Sequence, residues 1–184
     1  MNSLTHLIKH RLKHITAFGL GFLILGVVAA APALAATSTS TMAVSGSVAS
    51  SCIIVAGPLS FSAFNPVTGT AVDAEATLTV SCAVGTPNVF ITLGQGAHAG
   101  GGSTDAVPVR RMVHAIDTTA FLSYNLFQET SRTTLWGNTV ETAPAAFTST
   151  GLAQLVTVYG RITATQPTAL IGAYSDLVVA TVHF

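Results

Sequence analysis

The sequence beyond residue 35 predicts an all-β fold, a sandwich or barrel of seven or eight short strands. Short segments there alternate between apolar and polar residues with the period of two that is typical of strands. Glycine- and proline-containing turn signals separate these segments at regular spacing. No segment shows the 3.6-residue period of an amphipathic helix, and the abundance of Thr, Ser, Val, Ala and Gly suits strands and turns.

Residues 1–35 are predicted to be a secretory signal peptide. Basic residues at 9–13 precede an apolar run over 15–31, and Ala33-Leu-Ala35 supplies the small residues of a cleavage site. A membrane anchor is the alternative, because the run is nearly long enough to span a bilayer. The glycines within the run and the Ala-rich end after it favour cleavage after Ala35.

The charge balance of residues 36–184 excludes several classes of partner. Four arginines remain against seven carboxylates, which gives a net charge of −3, and no lysine is present. Nucleic acids and anionic membrane surfaces require a basic face on the protein that binds them. We therefore expect no nucleic-acid partner for what is, by length, a single domain.

The two cysteines, Cys52 and Cys82, are predicted to form one disulfide, since an exported protein matures in an oxidising compartment. Two buried free thiols are one alternative, and a metal site built on both cysteines is another. No CxxC motif occurs, and the histidines at 98, 114 and 183 lack ligand spacing to either cysteine. We therefore expect no metal ion and no other cofactor.

Eight segments carry the strand pattern. The first alternates from Met42 and continues to Val55, and the last runs over Tyr174–Phe184; between them lie 59–64, 76–82, 89–93, 110–113, 120–127 and 154–163. Alternation assigns side chains to faces. It places Ala76, Leu78, Val80 and Cys82 together on an inward face, and Leu155, Thr157, Tyr159 and Arg161 on an outward one.

The C-terminal strand is largely apolar. Its residues divide into one set comprising Val178, Ala180, Val182 and Phe184 and another comprising Leu177, Val179, Thr181 and His183. Neither a turn nor a polar tail follows Phe184. Unpaired strand edges promote association, so either an earlier strand or another chain must cover this one, and we favour another chain.

Several blocks of the sequence resemble the spore coat protein U domain, which is also the subunit fold of Csu-type, archaic chaperone–usher pili. The similarity extends from about residue 42 to the C-terminus, and its blocks occur in the family's order. They are Leu59-Ser-Phe-Ser-Ala-Phe-Asn-Pro-Val-Thr-Gly69, Leu122-Ser-Tyr-Asn-Leu-Phe127, Arg132-Thr-Thr-Leu-Trp-Gly137, Val158-Tyr-Gly-Arg161 and Gly172-Ala-Tyr-Ser-Asp176.

The resemblance implies an incomplete immunoglobulin-like β-sandwich, a pilin fold that lacks its last strand and is completed by a donor strand. A periplasmic pilus chaperone would lend this strand first, and at an outer-membrane usher the N-terminal extension of the next subunit would replace it. The resemblance therefore divides the mature chain into a donor extension, 36–48, and a sandwich domain, 49–184.

The same resemblance assigns residues to both sides of the joint. Met42, Val44 and Val48 of the donor would fill the groove, with Gly46 at a position where little side chain fits. The acceptor groove and chaperone contact would comprise Val178, Ala180, Val182 and Phe184. The Phe184 carboxylate would anchor on basic residues of the chaperone, unless Phe184 simply caps a closed core.

The function implied is that of a structural subunit of a secreted surface fibre active in adhesion or biofilm formation. Its partners would be the chaperone, the usher and identical or related pilins, and it would cross the periplasm to the cell surface. One alternative is a secreted adhesin that binds a surface or a glycan, with Trp136, Tyr124 and Tyr159 as a sugar platform. A spore-coat structural protein is another. A tip adhesin needs an extra N-terminal domain, so one domain with a donor-like extension favours a shaft subunit or adaptor.

Catalysis is not expected. The sequence contains no GxSxG elbow and no Walker or Rossmann glycine pattern, and its carboxylates occur singly. His98 and His114 lie near Asp105 and Asp117 in sequence, but such spacing alone does not make a catalytic triad. The pair Arg110-Arg111 could recognise an anionic surface; more commonly, one member of such a pair is solvated and the other forms a salt bridge.

Overall fold

The computed structural model of the chain describes residues 36–184, and the predicted signal peptide, 1–35, lies outside them. The chain divides between Ser45 and Gly46 into two compact units. Residues 36–45 of the first unit are exposed and form no regular secondary structure. The second unit, Gly46–Phe184, contains every strand that the structure describes. Within the described residues, no helix is long and apolar enough to cross a membrane.

The second unit is an all-β body of eight strands in two sheets. In chain order the strands are β1 (Cys52–Ala56), β2 (Val72–Cys82), β3 (Phe90–Leu93), β4 (Arg110–His114), β5 (Phe121–Phe127), β6 (Gln154–Ile162), β7 (Tyr174–Ser175) and β8 (Ala180–His183). One sheet has the order β1-β2-β6-β5-β4-β7, and β3 pairs with β8 in the other, all antiparallel. One three-residue 3₁₀ helix, Val140–Thr142, is the helical element of the described chain.

Side chains from both sheets share one core, and alternation along the strands decides which ones enter it. On β2, Leu78, Val80 and Cys82 are buried while their neighbours face outward, as predicted. The same holds on β6, where Val158 and Ile162 are buried and the predicted outward set alternates with them. The core is completed by Val89, Ile91, Leu93, Leu122, Tyr124, Leu126 and Trp136.

The predicted disulfide is present. Cys52 and Cys82 are opposite each other in the register of β1 and β2, with Cα atoms 4.0 Å apart, and they are joined by an S–S bond. The bond therefore fastens the start of the edge strand β1 to the end of β2, which lies between β1 and β6 in the sheet.

Removing the disulfide should lower the free energy of unfolding by about 3–4 kcal/mol, since the bond closes a loop that the unfolded chain would otherwise leave open. The test compares urea unfolding of the oxidised protein with that of the C52A/C82A double variant. Ser149→Ala serves as the control, because the Ser149 hydroxyl donates to the Cys82 carbonyl at 3.2 Å and its removal changes this neighbourhood while both cysteines remain. Equal stability of the oxidised protein and the double variant would contradict the expected role.

Three strand predictions need correction. Residues 59–64 alternate in sequence but form no strand, and neither do residues 42–48. The predicted C-terminal strand, Tyr174–Phe184, is divided into β7 and β8, with 176–179 between them. The physical reason is that 176–179 bonds irregularly to the loop after β3, through Gly94 N–H to Val179 O at 2.9 Å and Ala97 N–H to Leu177 O at 3.0 Å.

Candidate functional site: an apolar groove between two strand edges

Two strand edges flank a gap in the sandwich. β1 pairs with β2 along one of its two edges, and β8 pairs with β3 along one of its own two edges. β1 and β8 lie close together, yet among the described residues no hydrogen-bonded pairing joins them. Each strand therefore presents unpaired N–H and C=O groups on its remaining edge, which is the arrangement that accepts an additional strand.

An apolar groove of about 370 Å³ opens at this place. Its floor consists of core side chains from five strands, and its two walls come from the segment after β1 and from the segment around β7 and β8. The lining residues are Ala56, Gly57, Pro58, Leu59, Phe61, Ala76, Leu78, Leu93, Met112, Tyr124, Leu126, Val158, Tyr174, Ser175, Asp176, Leu177, Val178 and Ala180.

The volume indicates how strongly the groove favours an occupant. An unfilled cavity costs about 24 cal/mol per Å³ in protein cores, which for 370 Å³ corresponds to about 9 kcal/mol if the space were fully enclosed. The groove is open to solvent on one side, so the actual cost is lower. An inserted apolar segment nevertheless recovers several kcal/mol of packing that the body by itself lacks.

The wall next to β1 is built without a strand. Gly57 N–H donates to Thr77 O at 2.9 Å and ends the pairing of β1 with β2. Leu59 and Phe61 then pack over Gly160, where an added Cβ would lie 2.6 Å from Leu59 and 2.9 Å from Phe61. A side chain at position 160 would therefore displace the ends of the Leu59 and Phe61 side chains.

The wall next to β8 is fixed by a buried carboxylate. The Asp176 side chain, only 2 % exposed, accepts hydrogen bonds from Tyr124 Oη at 2.7 Å and from the His98 backbone N–H at 3.2 Å, and its Oδ1 lies 3.1 Å from His98 Nδ1. Burial, and secondarily the bond to Asp176, raises the pKa of the Tyr124 phenol far above its usual value. The phenol is therefore a permanent donor that holds the 174–178 segment against the floor.

The four residues predicted for the acceptor groove differ in their positions. Val178 and Ala180 line the groove, and Val182 packs against the core from the same face of β8. Phe184 is 56 % exposed, so it does not cap a closed core. The roles of these four residues in accepting a strand or a chaperone stay predictions.

The predicted donor residues are exposed. Met42, Val44 and Val48 have 85–93 % of their surface accessible, and an added Cβ at Gly46 would meet no atom within 4 Å. Together with Gly46 these residues are spaced two apart, so an extended conformation presents the three side chains on one face. Their part as a donor strand likewise stays a prediction.

Sequence reasoning missed most of the groove. The floor residues Leu93, Met112 and Leu126 come from three different strands, and only the tertiary fold brings them together. Asp176 belongs to one of the blocks that carry the family resemblance, but the sequence does not mark it as the residue that fixes a wall. The sequence offers one weak signal for it: Asp176 is the single acidic residue of the largely apolar C-terminal segment and directly follows Tyr174-Ser175.

The structure corrects two alternative sites. Trp136 is fully buried, with its indole N–H donating to Ile91 O at 2.9 Å, and Tyr124 is 4 % exposed, so neither can form a sugar platform with Tyr159. Arg110 and Arg111 also differ from expectation, because within the described residues neither forms a salt bridge. Both bind backbone carbonyls instead.

The structure also shows the hydrogen-bond partners of His98 and His114, the two histidines that lie near aspartates in sequence. His98 pairs with Asp176 rather than with Asp105, and the His114 ring accepts the backbone N–H of Asp117 at 2.9 Å. Among residues 36–184, no three His, Cys, Asp or Glu side chains are grouped to hold a metal ion.

Comparisons with known proteins agree on one family. The Spore Coat Protein U domain matches residues 38–181. Protein U of Myxococcus xanthus is 39 % identical over 167 residues, which cover 86 % of this chain and 91 % of that protein.

A solved structure shares the fold. It is a chain from the crystal structure of the pre-assembly complex between the chaperone CsuC and the tip adhesion subunit CsuE of the archaic chaperone–usher Csu pili of Acinetobacter baumannii. The TM-score is 0.52 at 21 % identity, and the match covers 74 % of this chain but 40 % of that one. At this identity the likeness concerns the fold alone, and it establishes the all-β, pilin-like architecture of the body.

Proposed function

Because the chain belongs to the spore coat protein U domain family, we propose that it is a structural subunit of a secreted surface fibre whose copies are joined by donor-strand complementation. The observation that carries this proposal is the apolar groove between the unpaired edges of β1 and β8. The donor is the exposed segment 36–48 of another copy.

The energetics support a durable joint. Burying each of Met42, Val44 and Val48 contributes about 1.5–3 kcal/mol. The main-chain hydrogen bonds to two strand edges add to this, so the joint gains on the order of 10 kcal/mol before ordering costs. Neither the donor segment nor the β1 and β8 edges carry an Asp, Glu, Lys or Arg, so no charge must be buried when they meet.

The assembly route proposed is that of chaperone–usher pili. A periplasmic chaperone would occupy the groove first, and exchange at an outer-membrane usher would replace it with the next copy's extension. The fibre would then serve in adhesion or biofilm formation at the cell surface. The likeness of the body to a chain from a chaperone–adhesion subunit complex supports this route.

A second candidate follows from the similarity to Protein U and from the family's description as a spore coat domain. In it, copies would join through the same groove but build a coat instead of a fibre. Isolation of the exported protein distinguishes the two: a one-to-one complex with a periplasmic chaperone supports the fibre, and its absence supports the coat.

Deleting 37–48 should produce a body that accepts a strand but cannot extend a chain of copies. We expect the truncated protein to bind a synthetic 37–48 peptide and to remain one copy in size by light scattering, while the intact protein forms a ladder of larger species. Val44→Asp should reduce the formation of larger species less severely than the deletion does, because it removes one of the three apolar side chains that fill the groove.

The matched control is Val67→Asp, since Val67 is as exposed as Val44 but lies in the loop before β2. It should assemble like the natural protein. Normal ladder formation by the truncated protein would show that 37–48 is not the donor.

A further inference from the structure

We infer that consecutive copies also touch through an apolar surface at the disulfide end of the body, and this inference rests on the proposed function. This disulfide-end patch consists of five exposed aliphatic side chains around the start of β1. They are Ile53, Val55, Val84, Leu152 and Leu155, each 62–78 % exposed.

The strand register brings these residues together. Val55 pairs with Thr79, and Thr79 pairs with Leu155, so Val55 and Leu155 share one row on the outer face of β1-β2-β6. β1 starts and β2 ends at this edge of the sheet, and β6 begins there as well. The loops that carry Val84 and Leu152 therefore flank the point where the chain enters the body.

These two loops are preformed. Gly85 N–H donates to Ser149 O and Ser149 N–H donates to Thr86 O, each at 2.9 Å. The Ser149 hydroxyl, itself buried, donates to Cys82 O at 3.2 Å. A patch on such a base loses little conformational entropy when it is covered.

Charge is segregated along the same sheet. At the opposite end, Asp73 forms a two-point ion pair with Arg161, at 2.6 and 2.8 Å, and Arg132 lies 3.4 Å from Asp73 and 3.5 Å from Glu75. The hydrogen bond from Arg161 holds the pKa of Asp73 below its usual range. By contrast, 46–72, 76–90 and 142–160, which include all five patch residues, contain no charged residue.

This contrast points to a protein partner. Interface centres are depleted of charged residues, and clustered exposed apolar side chains on a secreted domain mark contact sites. A solvated end of the sheet would need no such depletion, as the Asp73–Arg161 end shows.

The length of the tether identifies the partner as a second copy. If Val48 is the last residue to insert into a neighbour's groove, only residues 49–51 separate it from Cys52. A fully extended chain spans at most 3.3–3.6 Å per residue, so the groove of that neighbour ends within about 14 Å of Cys52. Two bodies held so closely must meet at the surface surrounding Cys52, which is the disulfide-end patch.

The test compares three states of the protein by hydroxyl-radical footprinting and mass spectrometry: the truncated body alone, that body filled with 37–48 peptide, and joined copies of the intact chain. We expect labelling of Val84 and Leu152 to fall several-fold in joined copies and to remain unchanged in the peptide-filled body. Val107 and Val140, exposed elsewhere, should be labelled equally in all states.

A V84D/L152D variant provides the second measurement. It should still form joined copies through the groove, but residues 150–155 should lose the protection that joined copies of the natural protein show. If the natural joined copies leave Val84 and Leu152 as reactive as in the filled body, the inference is overturned while the groove assignment stands. If the intact chain never joins, the proposed function fails and this inference fails with it.

Discussion

A phenylalanine at position 76 is expected to prevent the body from accepting a donor strand while leaving it folded. Ala76 lies on the inner face of β2, pairs with Val158 and lines the groove. A benzyl group there occupies space that a donor side chain would fill. Losing one plug of 1.5–3 kcal/mol should weaken binding of the 37–48 peptide by roughly 10- to 150-fold.

The same variant should be at least as stable as the natural body, because filling a cavity commonly adds about 0.5–2 kcal/mol. Thr77→Phe is the matched control, since it adds the same ring to the next residue of the strand but on the exposed face. Peptide titration and urea unfolding of both variants check the prediction. Unimpaired peptide binding by Ala76→Phe would mean that the donor does not enter this groove.

The faces of the strands could be predicted from the sequence because alternation is a local property. Leu78 and Cys82 are inward for the same reason that Leu155 and Arg161 are outward: a strand turns successive side chains to opposite faces. The Cys52–Cys82 disulfide was predicted on different grounds, from two cysteines in a chain expected to be exported. None of these assignments required knowledge of distant residues.

The segment 59–64 shows where local reasoning fails. Its alternation is that of a strand, yet Pro58 before it offers no N–H and Gly57 already ends the ladder with β2. Leu59 and Phe61 are instead placed by the space above Gly160 on β6, about a hundred residues away in sequence. That space exists only in the folded body, so no local pattern could reveal it.

The groove itself could be predicted only through family resemblance. An apolar last strand indicated a missing neighbour, but not where the neighbour would lie. The floor is assembled from β2, β3, β4, β5 and β6, whose order in the sheets is not written in any single segment. Alternation alone likewise could not decide whether Met42 and Val44 belong to a strand of the body or to an exposed segment.

Arg110 is a position where a single substitution should strongly destabilise the body. Its side chain is 1 % exposed, and it donates to Gly94 O at 2.9 Å and to Leu93 O and Trp136 O, both at 2.8 Å. Burial lowers the pKa of the guanidinium to about 10, so it remains charged at neutral pH. Because Leu93 pairs with Ala180, Arg110 fastens the end of the strand on which β8 depends.

Arg110→Met should lower the free energy of unfolding by about 3–5 kcal/mol. Methionine fills the space of the stem and removes the desolvated charge, which by itself would be favourable. It leaves the buried carbonyls of Leu93 and Trp136 and the partly buried one of Gly94 without this donor, however, and each buried one costs about 1–3 kcal/mol. Against a total stability of about 5–15 kcal/mol, the loss should also loosen the β8 wall and weaken peptide binding.

Arg111→Met is the control from the neighbouring position. Arg111 is less buried, lies 4.0 Å over the Phe121 ring and donates to His98 O and Ala99 O in a partly buried loop, so we expect a loss of about 1 kcal/mol. The sole tryptophan, Trp136, contacts Arg110 through its carbonyl and reports urea unfolding by fluorescence. Similar losses for the two variants would show that water or other donors replace Arg110 at the three carbonyls, and that β3 holds β8 without it.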